Sequence, residues 1–344
     1  MKTNKFFYLM AAVALLFAGC DKDPLDDIEL PDVDPEIAAI SAKWVNNDTN
    51  SKYHSFEFQT DGTYIVQEYE TANTASVKTK TLRVKSLNDL NLPKSAFYNI
   101  KQKSDQPELR ASAKTLVTYV GHYVLSGGTI TLTDYGLIEK FMASNDEFEF
   151  TFKPDGSVQS IEFVGSKQPT LYDSKKTTLL CRMWKVEKTS FKDSGSGLWS
   201  SILGDMWDSL LSEMMAAFTH PEVNGEQVDL CVMMSKSGTY LSIFRDKKGN
   251  FFTEIAADDG DSLFGVISTV VGTWEWADSK EKDVNWANEG SFGMEGSSGT
   301  FTVDEVTLEK FIYTTKTPSG DDTSGLGIDL SMEITQELSA VNKI

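Results

Sequence analysis

Cysteine and histidine are scarce, at three residues each in 344, and positive charge is in deficit: 32 basic residues face 51 acidic ones, a formal net charge of −19. Each shortage closes off a class of function. A chain this negative repels phosphate backbones, and no Lys/Arg stripe interrupts it, so nucleic-acid binding is excluded. His54, His122 and His220 have no metal-like spacing to one another or to a cysteine, so neither a metal nor a cofactor is expected. No Gly-x-Ser-x-Gly, P-loop or dinucleotide motif occurs, and no residue stands out as catalytic. Asp258-Asp259-Gly260-Asp261 and Asp321-Asp322 cluster carboxylates without the spacing of a calcium loop, and read as solvated acidic turns. The N-terminal apolar run FFYLMAAVALLFAG has 14 residues, short of the roughly 20 that span a bilayer as a helix.

That run is informative for another reason. Lys2 and Lys5 precede it and small residues follow, the pattern of a secretory signal peptide over residues 1–19. Phe17-Ala18-Gly19-Cys20 resembles a bacterial lipobox. The resemblance implies cleavage before Cys20, diacylglycerol on its thiol and an acylated amine. Two or three acyl chains, at about 0.8 kcal/mol per buried methylene, hold a protein on lipid almost permanently. Removing residues 1–19 takes away Lys2 and Lys5 and no acid, so the net charge moves from −19 to −21. Residues 20–39 carry Asp21, Asp23, Asp26 and Asp27 with Pro24, Pro31 and Pro35, and are expected to form a tether that neither collapses nor becomes helical. This acidic run resembles the surface-export signal of Gram-negative anaerobe lipoproteins of the Bacteroides type. It implies a protein anchored to outer-membrane lipid and displayed at the cell surface.

Beyond residue 40 the pattern is β. In YHSFEFQTDGTYIVQEYE, residues His54, Phe56 and Phe58 are expected on one strand face, with Thr60-Asp61-Gly62 as turn. GHYVLSGGTITL turns at Ser126-Gly127-Gly128. EFEFTFKPDGSVQSIEF places Phe148, Phe150 and Phe152 together and turns at Pro154-Asp155-Gly156. Short strands at this spacing indicate an antiparallel sandwich or barrel. Cys181 and Cys231 fall in apolar runs and are expected as buried thiols rather than a bridge.

Four landmarks then recur in order. Trp44 and Trp184 each precede a Gly-Thr-Tyr, at residues 62–64 and 238–240. Gly121-His122-Tyr123 is echoed by Gly272-Thr273-Trp274, and Ile138-Glu139-Lys140-Phe141 by Leu308-Glu309-Lys310-Phe311. The order argues for duplication: one module over 40–165, a linker over 166–178, and a second module over 179–340. Each half resembles the lipocalin-like modules of bacterial lipoproteins, which are antiparallel barrels of about eight strands opening with a tryptophan strand. The fold class implied is mainly β, two such barrels in tandem. Trp44 and Trp184 are expected to plug the barrel floors.

The second module carries an insertion. In LWSSILGDMWDSLLSEMMAAF, apolar pairs every four residues from Leu198 to Phe218 describe one face of an amphipathic helix, stopped by Pro221. Its polar face has Asp205, Asp208 and Glu213 and no base, which argues against a membrane-surface helix. It packs on its own barrel, or it is a lid over a cavity or a docking face. Trp207 sits near its centre. Trp274 and Trp276 share a strand face, with Trp286 nearby; exposed they would stack on sugar rings, and buried they are core. Trp207, Trp274, Trp276 and Trp286 are therefore the candidate ligand-binding residues, and Cys20 is the lipidation site.

The expectation is a non-enzymatic surface lipoprotein that binds a small apolar ligand or glycan. The alternatives are an interaction protein that docks an outer-membrane protein and, more remotely, a glycan hydrolase, which needs two placed carboxylates.

Overall fold

The structure, a computed structural model, describes residues 24–69, 81–84, 116–193, 209, 212, 219–223, 226–252, 254–257, 266–268, 270–288, 298–316 and 332–342. Cys20, Trp207 and the two acidic clusters at 258–261 and 321–322 lie outside these residues, as does most of the inserted segment 198–218.

After a 3-10 turn at Pro24–Asp27 and the helix α1 (Pro35–Ile40), nine strands follow. They are β1 (Lys43–Asn46), β2 (Tyr53–Phe58), β3 (Thr63–Tyr69), β4 (Thr81–Val84), β5 (Leu116–Ser126), β6 (Thr129–Leu132), β7 (Gly136–Ala143), β8 (Glu147–Pro154) and β9 (Ile161–Lys167). Helix α2 (Lys175–Leu180) leads to β10 (Met183–Asp193), β11 (Glu222–Val223), β12 (Glu226–Met234) and β13 (Thr239–Asp246). The chain continues through β14 (Phe251–Phe252), β15 (Glu254–Ala257), β16 (Val266–Ser268), β17 (Val270–Trp276) and β18 (Asp283–Asn288). It ends in β19 (Ser298–Val306), β20 (Lys310–Lys316) and β21 (Met332–Ala340).

Two closed antiparallel barrels of eight strands result. The first runs β1-β2-β3-β5-β6-β7-β8-β9 and closes by pairing β9 with β1. The second runs β10-β12-β13-β17-β18-β19-β20-β21 and closes by pairing β21 with β10. In both, alternate residues point inward. Inside the first barrel Phe148, Phe150 and Phe152 of β8 meet Trp44, Phe56 and Phe58, each 2% exposed or less. Most of these ring pairs meet at steep angles, such as Phe56 with Phe150 at 5.1 Å and 83°, the arrangement that aromatic quadrupoles favour.

The duplication is visible in the register. Tyr64 lies opposite Gly121, and Tyr240 lies opposite Gly272. Gly62 and Gly238 both have positive φ, 81° and 83°, in the turn before the third barrel strand, where a side chain would be strained. The carbonyls of these two glycines accept the N–H of Tyr123 and of Trp274 at 2.8 and 2.9 Å. The fourth landmark does not follow this equivalence. Ile138 to Phe141 lies on the sixth strand of its barrel, while Leu308 to Phe311 opens the seventh of the other. The structural counterpart of Phe311 is Phe148: each packs on the floor tryptophan, at 5.5 and 5.2 Å.

Two further expectations are corrected. A register shift between Tyr53 and Ser55 places a bulge at His54. Tyr53 rather than His54 therefore joins Phe56 in the core, and His54 bonds the hydroxyl of Tyr69 at 3.0 Å. The acidic segment, expected to stay extended, is folded from Pro24 onward. Asp34 accepts the Glu36 N–H at 2.8 Å and Pro35 occupies the first turn, so α1 is started by the residue types expected to prevent it. Leu25, Ile28 and Leu30, spaced among the acids, pack against the core of the second barrel.

The barrels share a core of their own. Ile65 and Val120 on the outside of the first meet Met183, Cys231, Met233, Leu241 and Ile243 on the outside of the second. Beside this patch Glu57, 2% exposed, accepts hydrogen bonds from Ser237 Oγ at 2.6 Å and Thr239 Oγ1 at 2.9 Å. The crossover loops between third and fourth strands also meet, because β4 pairs in parallel with β15.

Candidate functional site

Inward positions of the second barrel divide into two layers. At the floor are Trp184, Val232, Met234, Trp274, Trp276, Val284 and Phe311, all buried. Trp274 donates its indole N–H to Ser235 O and Trp276 to Thr177 Oγ1, both at 2.9 Å. The two rings meet edge to face at 5.7 Å. Sharing a face as expected, they form part of the packed floor and present no ladder to solvent.

Trp286 belongs to the other layer. It is half-buried and stacks on Tyr240 with centroids 5.9 Å apart and 26° between planes. Gly299 lies beneath its indole, where a Cβ would come within 3.0 Å of Nε1. Tyr313, two residues beyond Phe311 and on the same face, is also half-buried. Its hydroxyl donates to Gln336 Oε1, and Gln336 Nε2 donates to Thr189 Oγ1 at 3.1 Å. Burial pushes the Tyr240 phenol up to about 12 and lifts that of Tyr313 well above its ordinary value, with Tyr240 as the second cause for Tyr313. Both phenols therefore stay neutral, and that of Tyr313 acts as a hydrogen-bond donor.

The first barrel differs at the same positions. Tyr64, the counterpart of Tyr240, is 2% exposed; its ring folds onto Gly121 and its hydroxyl donates to Thr133 O at 2.9 Å. Phe150, the counterpart of Tyr313, is 2% exposed and stacked on Phe163 at 4.6 Å. The hydroxyl of Tyr240 has no hydrogen-bond partner among the described residues. At these positions the first barrel holds fully buried rings, while the second holds Tyr240 and Tyr313 only half-buried as residues.

The histidines sit in structural roles. Both ring nitrogens of His220 are engaged, Nδ1 with Asp229 Oδ1 at 2.9 Å and Nε2 with Glu187 O at 3.3 Å, which leaves neither to activate a nucleophile. His122 packs on Phe251 of the second barrel at 4.9 Å. Cys181 and Cys231 are free and buried, and burial raises both thiols, Cys231 to about 12. Among the described residues no group of His, Cys, Asp and Glu is placed to hold a metal, and no helix is long and apolar enough to cross a membrane.

Tyr240, Tyr313, Gln336 and Thr189 escape a motif search because each is an ordinary strand residue. One signal was present: the Phe-x-Phe-x-Phe of β8 becomes Phe311-x-Tyr313-x-Thr315 in β20, polar groups entering a face that is otherwise aromatic. No protein-family model and no curated protein matches this chain.

Proposed function

We propose that this protein is a lipoprotein anchored through Cys20 at the cell surface, and that it binds a small, mainly apolar ligand inside its second barrel without catalysis. The reading is carried by the contrast between Tyr64, sealed onto Gly121 with its hydroxyl bonded, and Tyr240, half-buried with no partner for its hydroxyl among the described residues. Stacked rings with a few convergent polar groups are the usual lining of a small-molecule site. In this reading Trp286 and Tyr240 hold an apolar body, and Tyr313, Gln336 and Thr189 orient a polar end. The first barrel, filled with phenylalanine, serves as a scaffold that positions the second.

The test is a titration with the apolar fluorophore N-phenyl-1-naphthylamine, followed by energy transfer from tryptophan. Wild type should bind saturably. Tyr240→Ala should weaken binding at least tenfold, while Tyr64→Phe in the first barrel should leave it unchanged. Equal binding by wild type and Tyr240→Ala, with both folded by circular dichroism, would remove the ligand from the second barrel. It would favour the interaction-protein reading, which the filled interior of the first barrel also suits.

A further inference from the structure

Where the floors of the two barrels meet, a cavity of about 170 Å³ opens between elements far apart in sequence. Its apolar lining is Leu30, Pro31 and Val33 of the N-terminal segment with Ala42 and Phe58. Lys43, Arg182 and Lys236 also line it, and Glu57 is the one acid among the lining residues. Three cations against one carboxylate is the reverse of the chain as a whole, whose net charge is −19.

Glu57 makes no ion pair with them among the described residues. Its Oε1 accepts from Ser237 Oγ and from Gln59 Nε2, and its Oε2 from Thr239 Oγ1, so its oxygens are committed to the barrel junction. Lys236 reaches Asp173 at 2.8 Å, an exposed pair that solvent screens. Lys43 has no ion pair among the described residues. Arg182 is 1% exposed; its guanidinium lies over the Trp184 ring at 5.4 Å and Nη1 donates to Leu308 O at 2.9 Å, while Nε and Nη2 have no hydrogen-bond partner among the described residues. Asp61, the acid whose charge acts on Arg182, has its own oxygens on the N–H groups of Thr63 and Met183. A buried guanidinium with two open donors and no bonded counter-charge is costly to maintain unless an anion accompanies it.

We infer that this junction cavity is a binding site for a small monocarboxylate with a short apolar tail. A cavity of about 170 Å³ has room for a small organic anion. The carboxylate lies toward Lys43, Arg182 and Lys236, and the tail lies along Leu30, Pro31 and Val33. Because those three residues belong to the segment that continues toward Cys20, ligand in the cavity also secures the N-terminal segment against the barrels. The site is separate from the second-barrel interior and stands or falls independently of it.

The experiment uses the full chain with Cys20→Ser, titrated calorimetrically with sodium butyrate, inorganic phosphate and n-butylamine. Butyrate should bind saturably, and Lys43→Gln with Lys236→Gln should weaken it at least tenfold while the circular dichroism stays that of wild type. Those two lysines are partly exposed, so the double variant folds even where Arg182→Gln does not. Butyrate binding that survives the double variant, or no butyrate binding at tens of millimolar, overturns the site. Phosphate binding as tightly as butyrate overturns the apolar-tail assignment, and butylamine binding overturns the charge assignment.

Discussion

Trp44 and Trp184 make the same hydrogen bond in the two barrels. Each donates its indole N–H to the carbonyl four residues earlier, Ile40 at 2.8 Å and Leu180 at 2.9 Å, and each is fully buried. The acceptor is the last residue of a six-residue helix in both cases. The last carbonyl of a short helix thus holds the first strand's tryptophan, which closes the barrel floor; Leu180 O also accepts the Arg182 N–H at 3.0 Å.

This equivalence predicts equivalent costs. Trp44→Ala and Trp184→Ala each remove a buried indole and its hydrogen bond, so each should destabilise the protein by about 3–5 kcal/mol. Chemical denaturation of the two variants checks it. A loss in one and none in the other would deny that the two floors are the same structure.

The barrels should also unfold together. The cluster of Ile65, Met183, Met233, Leu241 and Ile243 belongs to neither barrel alone, and Glu57 of the first bonds Ser237 and Thr239 of the second. Glu57→Ala removes both hydroxyl bonds across the junction, leaving Ser237 only its contact with Ser235 Oγ, and should cost about 1–3 kcal/mol. Calorimetry of wild type should show one transition, and the variant should separate it into two or lower it. Two independent transitions in wild type would mean that the junction contributes nothing.

Acid should loosen the same junction. Burial lowers the pKa of His122, the Arg245 guanidinium lowers it further, and Asp61 and the Gly249 backbone oppose the shift only in part. His54 is lowered as well, by burial and then by Lys43. The unfolded chain therefore binds more protons than the folded one just below the ordinary histidine value near 6.5, so stability rises with pH there. The melting temperature should be flat above about pH 7 and fall as the pH drops through 6.5. His122→Gln should remove part of that fall; an identical pH profile for the variant would contradict the assignment.

Much of this architecture is legible in the residues. Strand alternation, the Gly-Thr-Tyr turns and the order of tryptophans lead to two barrels, because period-2 patterning and positive-φ glycines are local properties. Segment 24–40 is misread because its acids and prolines are visible while the core that receives Leu25, Ile28 and Leu30 lies roughly 150 or more residues away in sequence. The bulge at His54 is invisible for the same reason: register depends on the neighbouring strand. Tryptophan is conspicuous as a ligand residue, yet Trp274 and Trp276 serve the floor. Tyr240 and Tyr313 near Trp286 carry no such signal, because what distinguishes them is burial relative to Tyr64 and Phe150, which depends on the neighbouring strands.

Anchoring predicts a simple fractionation. Cys20→Ser removes the only thiol in the lipobox-like stretch, and the protein should leave the membrane fraction or accumulate with residues 1–19 still attached. Continued resistance of the variant to washing from membranes would contradict a lipid anchor at this residue.

The most direct measurement of the central claim is native mass spectrometry of the protein purified from its own cells, wild type beside Trp286→Ala. The account predicts a discrete added mass on wild type, released on denaturation and lost in a variant that remains folded. Wild type at its bare covalent mass, or an added mass that persists in Trp286→Ala, would contradict a ligand held in the second barrel.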